Sequence, residues 1–229
     1  MKGLLMTSDN IRATAERRKW QTRRIEAKLK IINQEPSKWH LAEFYQATGG
    51  DGEWWAWFSR DGDGKPYVIK PRYQIGEIVY IKEAWAYIRV FDGIRFTDEY
   101  KYIYRLDEPD FNWYDGDGAP AERKDGNPAS YWQSPMFLKA ENARYFVKIN
   151  GILPQRLQDI TVEEIIAEGI ERGLTKIGYY YAFGQLWNSI NRKHKIDLTT
   201  NLKTVYPYSW EANPWIWAYS YELLDGKSK

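Results

Sequence analysis

The 229-residue chain is 43% hydrophobic and 28% charged, with a formal net charge of +2; such values are ordinary for a soluble globular protein, and the length suffices to bury a core without covalent staples. It has no cysteine and two histidines, His40 and His194, which excludes disulfides, thiolate chemistry and cysteine zinc sites and leaves too few imidazoles for a histidine-based metal centre. The start, Met1 to Met6, lacks the apolar segment of a secretory signal and no run reaches transmembrane length, so the composition predicts a cytoplasmic protein with no membrane span and no metal.

In chain order, Ser8 can cap a helix whose turns carry Ile11 and Ala15 and which should end near Lys19. An extended segment follows from Trp20 to Ile25. Glu53 to Phe58 and Pro66 to Lys70 flank Asp61-Gly62-Asp63-Gly64, a strong hairpin signal. Strands are expected over Ile78 to Lys82 and Tyr100 to Arg105. From Leu106 to Ser134 the chain is rich in Asp, Gly, Pro and Asn and reads as a long loop. Tyr145 to Leu153 reads as a strand leading to a short helix after Asp159 or Thr161. Helical spacing runs from Lys176 to Arg192 through Tyr180, Phe183, Leu186, Trp187 and Ile190, and Ile216 to Leu223 closes the chain as a strand. Many short strands, few helices and no βαβ rhythm predict an α+β fold built on a partly open barrel.

Charge is distributed unevenly. Arg12, Arg17, Arg18, Lys19, Arg23, Arg24, Lys28 and Lys30 fall close together, opposed locally by Glu16 and Glu26, while acidic residues gather near Asp61 and Asp115. Such a run is either a solvated helix face or a phosphate-binding patch. Twelve tryptophans and eighteen tyrosines suit a β core as well as base stacking. Other motifs lack their context. Asp61-Gly62-Asp63-Gly64 resembles a calcium loop, but Arg72 stands where the bidentate Glu belongs; Asp115-Gly116-Asp117-Gly118 fails likewise. Gly49-Gly50-Asp51-Gly52 has no phosphate-loop lysine.

Two segments carry chemistry. Lys19-Trp20-Gln21-Thr22-Arg23-Arg24 places an amine, a hydroxyl and two guanidinium groups within six residues. Thr161-Val162-Glu163-Glu164-Ile165-Ile166-Ala167-Glu168-Gly169 offers the carboxylate of Glu168 at the end of a short helix. An amine and a hydroxyl that can meet a carboxylate are the minimum for an activated nucleophile, and the arginines suit a phosphate-bearing or planar substrate. In this order the segments resemble the ASCH domain family, whose early motif has the form Gly-x-Lys-x-x-Thr-x-Arg. Here Arg17 stands at the glycine, and Lys19, Thr22 and Arg24 match. The family's later Ala-Glu-Gly helix end fits Ala167-Glu168-Gly169, and Gly76-Glu77-Ile78-Val79 resembles its Gly-Asp-x-Val segment. Leu186 to Asn191 and Trp210 to Trp217 look like the closing segments of phage-encoded members.

The resemblance implies one PUA-like domain over residues 1–229, a partly open mixed β-barrel with bordering helices and insertions at about 33–72 and 106–134. It implies action on RNA or modified nucleosides with no cofactor, in a cytoplasm that is the host's if the chain is phage-encoded. In family members that hydrolyse N4-acetylcytidine, a lysine activates a threonine and a glutamate shuttles protons. Carried to matching positions, Thr22 is the nucleophile, Lys19 its activator and Glu168 the acid/base. Arg17, Arg18, Trp20, Arg23, Arg24 and Lys30 would hold substrate or nucleic acid, with Trp20 either forming a pocket wall or blocking the pocket. A non-catalytic RNA or modified-base reader and a ribonuclease are the alternatives the family admits.

Overall fold

The computed structural model describes residues 1–48, 52–91, 96–107, 132–171, 174–191 and 207–225. The Gly49-Gly50-Asp51 segment, His194 and nearly all of the predicted 106–134 insertion, Asp115 to Gly118 included, lie outside the described residues. In chain order the elements are β1 (Gly3–Leu5), α1 (Ser8–Ala15), β2 (Gln21–Arg24), α2 (Leu29–Ile32), β3 (Trp39–Gln46), β4 (Trp54–Arg60), β5 (Asp63–Ile69), β6 (Ile78–Lys82), β7 (Trp85–Phe91), β8 (Phe96–Tyr104), β9 (Phe146–Arg156), α3 (Val162–Ala167), α4 (Lys176–Asn191) and β10 (Trp215–Leu223). The fold is mixed α+β and dominated by sheets, as the sequence predicts. The largest sheet has the order β1-β6-β9-β10-β2, beside a three-stranded β3-β4-β5 sheet and a two-stranded β7-β8 sheet. No ladder among the described residues joins β1 to β2, so the sheets do not close into a barrel.

The chain forms two compact units, each assembled from separate segments: residues 1–15, 78–147 and 224–229 make the first, and 16–77 and 148–223 the second. In the first, β1 runs parallel to β6, with Leu4 opposite Ile81. Tyr80, Leu138, Ala143 and Phe146 form its buried cluster. Its helix α1 starts at Ser8, one residue earlier than Ser8 as cap would require. The Asn10 N–H donates to Thr7 Oγ1 at 3.4 Å and the Ile11 N–H to the Thr7 carbonyl at 3.0 Å, so Thr7 is the capping residue. The helix also ends at Ala15, four residues before Lys19.

The second unit holds every residue proposed for catalysis. Its central strand, β10, is buried on both faces, which explains a nearly unbroken apolar run. Ile216 and Ala218 pack against Leu157, Ile160, Ile165, Tyr179, Phe183 and Trp187, joining the sheet to α3 and α4. On the opposite face Trp215 meets Phe58 edge-on at 5.0 Å and Tyr219 meets Tyr73 edge-on at 5.2 Å. The predicted hairpin is β4–β5, with Arg60 opposite Asp63 across Asp61-Gly62 and Gly62 at φ 73°. Residues 33–72, expected as an insertion, fold as β3-β4-β5 within this unit. Trp54 to Arg60 alternates so that Ala56 and Phe58 face inward while Trp57 is exposed.

Candidate functional site

Lys19 reaches its position because the preceding helix stops abruptly. Arg17 adopts a left-handed backbone, φ 59°, which an α-helix does not tolerate. The chain then turns and is pinned at the next residue. The Trp20 N–H donates to the Ala167 carbonyl at 2.9 Å, and the Trp20 carbonyl accepts from the Tyr221 N–H at 2.9 Å. From there β2 runs antiparallel to β10, with Gln21 opposite Ser220, Thr22 opposite Tyr219, Arg23 opposite Ala218 and Arg24 opposite Trp217.

The carboxylate comes from the end of α3, and the local sequence dictates both ends of that helix. At its start, Thr161 Oγ1 accepts from the Glu164 N–H while a Glu164 carboxylate oxygen accepts from the Thr161 N–H, a reciprocal capping box. At its end, Gly169 takes φ 94°. The Gly169 N–H donates to the Ile166 carbonyl and the Ile170 N–H to the Ile165 carbonyl, the paired closure that a left-handed glycine permits. Ala167-Glu168-Gly169 is therefore a helix stop, and it leaves the Glu168 carbonyl without a partner in the helix. Thr161→Ala is expected to lower stability by about 1 kcal/mol, read as a shift in the urea midpoint.

Lys19 and Glu168, 149 residues apart in sequence, meet directly. The Lys19 amine donates to Glu168 Oε2 at 2.5 Å and to the Glu168 carbonyl at 2.8 Å. Both side chains are buried. The second carboxylate oxygen, Oε1, accepts from Arg23 Nη1 at 3.1 Å. Arg23 Nη2 lies 3.0 Å from Glu164 Oε2, an ion-pair distance without hydrogen-bond alignment, and Arg23 Nε has no hydrogen-bond partner among the described residues. Arg23 Nη1 also donates to Gln21 Oε1 at 3.3 Å, and Gln21 Nε2 to Ser220 Oγ at 3.2 Å. A continuous polar chain thus runs Lys19–Glu168–Arg23–Gln21–Ser220.

Burial is the largest influence on the Lys19 amine and pulls its pKa below the ordinary lysine value of 10.5; Glu168 opposes this, while the charges of Arg24 and Arg23 add to it. The direction is the one an amine needs in order to act as a base near neutrality. Glu26, two residues beyond β2, is pushed the other way: burial raises its pKa against the hydrogen bonds it receives from Tyr219 and the Arg72 N–H.

The structure brings Lys19, Arg23 and Glu168 together and leaves the other predicted residues apart from them. Thr22 is buried, and no hydrogen bond joins it to Lys19 or Glu168. Strand alternation puts Gln21 and Arg23 on one face of β2 and Thr22 and Arg24 on the other. The basic surface expected from Arg17, Arg18, Arg23, Arg24 and Lys30 is smaller than its sequence. Arg17, Arg18 and Lys30 are exposed, with Arg18 paired to Glu16 at 2.5 Å, while Arg24 is half-buried. Arg23 is not a surface residue: its side chain is 0% exposed, because two carboxylates draw it inward. Trp20 is 42% exposed.

Sequence reasoning missed Glu164, Gln21, Ser220, Glu26 and Tyr219. Glu164 was legible only as a helix-end carboxylate; the capping-box spacing Thr161-x-x-Glu164 was the signal that its side chain turns back toward the helix start. Among the described residues no cluster of acidic or histidine side chains could hold a metal, and no helix is long and apolar enough to cross a membrane. No family model matches the chain, and no curated protein or solved structure matches it.

Proposed function

We propose that this chain is an ASCH-type, PUA-like protein of the cytoplasm that acts on RNA or modified nucleosides, and that it hydrolyses the amide of an N4-acylated cytosine nucleoside. The observation that carries the reading is the buried 2.5 Å contact between Lys19 and Glu168, three residues before the Thr22 hydroxyl. The two groups share one proton across this contact, and burial pushes the Lys19 amine toward its neutral form.

The reaction starts from the arrangement in which the shared proton sits on Glu168 and Lys19 is a free amine. Thr22 Oγ1 attacks the acyl carbonyl carbon and its proton passes to Lys19. Glu168 gives its proton to the N4 nitrogen as the C–N bond breaks. The nucleoside departs with a free amino group, and the acyl group remains as an ester on Thr22. A water then yields a proton to the Glu168 carboxylate as its oxygen attacks the ester. The carboxylic acid leaves, and Thr22 recovers its proton from Lys19. Arg23 holds Glu168 in place through Oε1, and no step requires a cofactor.

A second reading, a non-catalytic RNA or modified-base reader, is favoured by one feature: an exposed Trp20 within three residues of exposed Arg17 and Arg18 in the sequence, a ring able to stack and cations able to hold phosphate. If these residues hold phosphate, affinity for single-stranded RNA should fall steeply between low and moderate salt, and Trp20→Ala should weaken binding by about 1–3 kcal/mol. Filter binding at two salt concentrations measures both. Incubating the protein with N4-acetylcytidine and with labelled RNA separates the readings. Acetate and cytidine are expected. Tight RNA binding with neither product identifies a reader, and shortened RNA a ribonuclease.

A further inference from the structure

The polar chain that holds Glu168 reaches solvent at two side chains to which the mechanism above gives no role. Of its five members, Lys19, Glu168 and Arg23 are buried, whereas Gln21 and Ser220 are half-buried. These two stand opposite each other on β2 and β10. On β9, the strand next to β10, Gly151 carries no side chain to cover Ser220. A Cβ there would lie 3.3 Å from the Ser220 Cβ and 3.4 Å from its Oγ. Leu153, two residues on and on the same face of β9, is 47% exposed. An apolar surface therefore lies beside the polar pair.

Arg23 fixes which way the Gln21 amide points. A guanidinium only donates, so the amide must turn its oxygen toward it, and Arg23 Nη1 donates to Gln21 Oε1 at 3.3 Å. The same nitrogen donates to Glu168 Oε1 at 3.1 Å, so one atom ties the amide to the carboxylate. The Gln21 nitrogen is thereby turned to Ser220, to whose Oγ it donates at 3.2 Å. An amide nitrogen carries two hydrogens, and a hydroxyl that accepts still has its own to give. One hydrogen on Gln21 Nε2 and the hydroxyl hydrogen of Ser220 have no partner among the described residues. The pair presents two neighbouring donors.

We infer that Gln21 and Ser220 read the base of the nucleoside as a cytosine, the Gln21 amide donating to N3 and the Ser220 hydroxyl to O2. Both atoms are acceptors in cytosine. Uracil keeps O2 but carries a hydrogen on N3, which would set donor against donor, and a site built to donate there rejects it. Acylation of N4 leaves N3 and O2 as they are. N4 lies on the N3 side of the ring, so its acyl group extends from the Gln21 end of the pair, the end that Arg23 Nη1 ties to Glu168. The inference rests on the nucleoside reading above and holds for its hydrolytic and its non-catalytic form alike.

The test is calorimetric binding of cytidine and of uridine to wild type, Gln21→Glu and Ser220→Ala, beside acetate release from N4-acetylcytidine by the wild type. The wild type should favour cytidine by about tenfold to a hundredfold, the discrimination a matched bidentate pair gives. Gln21→Glu keeps the size and an acceptor for Arg23 but sets an oxygen where Nε2 stood, so the preference should reverse toward uridine. A merely structural role would weaken both nucleosides and leave their ratio. Where Gln21→Glu fails to fold, Gln21→Met, which removes the donor without adding charge, should abolish the preference. Ser220→Ala should weaken both nucleosides by about twofold to tenfold, because O2 is common to the two bases. Equal binding of cytidine and uridine by the wild type, or a folded Gln21→Glu that still prefers cytidine, overturns this inference, and it alone where acetate is released. Cytidine preference without acetate release upholds it and overturns the hydrolase reading. Neither binding nor release overturns both.

Discussion

Replacing Glu168 with alanine is expected to destabilise the fold by about 3–5 kcal/mol, the cost of leaving a buried charge without its partner. Two cations lose their acceptor at once, since Lys19 and Arg23 both bond the same carboxylate and both are buried. Surface pairs such as Arg18–Glu16 contribute far less, because water solvates either partner when the other is removed. Converting Lys19 to Met together with Glu168 to Leu should recover only the part of the loss that belongs to Lys19, because Arg23 stays buried without its Glu168 acceptor. Urea denaturation of the two variants and wild type gives the comparison. The same burial predicts a pH signature. Lys19 titrates below its unfolded value of 10.5, so the unfolded chain binds the extra proton in that interval, and the Lys19 contribution to stability rises with pH up to about 10.5.

The second large effect is on turnover. Glu168→Gln keeps the shape of the side chain and an acceptor for Lys19 but carries no exchangeable acid proton. Its expected cost is about 10²–10⁴-fold in kcat with N4-acetylcytidine affinity retained. Lys19→Arg should fail as well, since a guanidinium does not give up its proton and its forked head exceeds the space of an amine 2.5 Å from Oε2. Acetate release and equilibrium binding, measured on the same folded samples, keep chemistry and affinity apart.

How much of this was legible in the sequence depended on how local the cause was. Thr161-x-x-Glu164 and Ala167-Glu168-Gly169 carry the start and stop of α3 within nine residues, and the helix lies where they place it. Asp61-Gly62 between two alternating runs likewise locates the β4–β5 turn. The strand β3 escaped because its register shifts between Leu41 and Glu43, which breaks the period of two. β7 escaped for another reason: Trp85, Ala86, Tyr87 and Ile88 are apolar on both faces, so nothing alternates. The end of α1 was misplaced because a run of Glu and Arg favours helix, and only the left-handed turn at Arg17 shows where it stops. Barrel closure depends on pairing between distant strands, which no local pattern encodes; the edges β1 and β2 stay unjoined.

The site shows the same division. The approach of Lys19 to Glu168 followed from matching two separated motifs and appears as a direct contact. Reading Arg23 and Arg24 together as surface cations ignored that neighbours in a strand point to opposite faces. One turns to Glu168 and Glu164, the other to the face of Thr22 and Tyr219.

Acetate release from N4-acetylcytidine by wild type and Thr22→Ala, side by side and with both shown to be folded, tests the central claim most directly. Thr22 makes no hydrogen bond to Lys19 or Glu168, so its removal leaves the Lys19–Glu168–Arg23 network intact. If Thr22 is the nucleophile, the wild type releases acetate and Thr22→Ala loses at least about 10²-fold. No release by the wild type, or equal release by the folded Thr22→Ala variant, would contradict it.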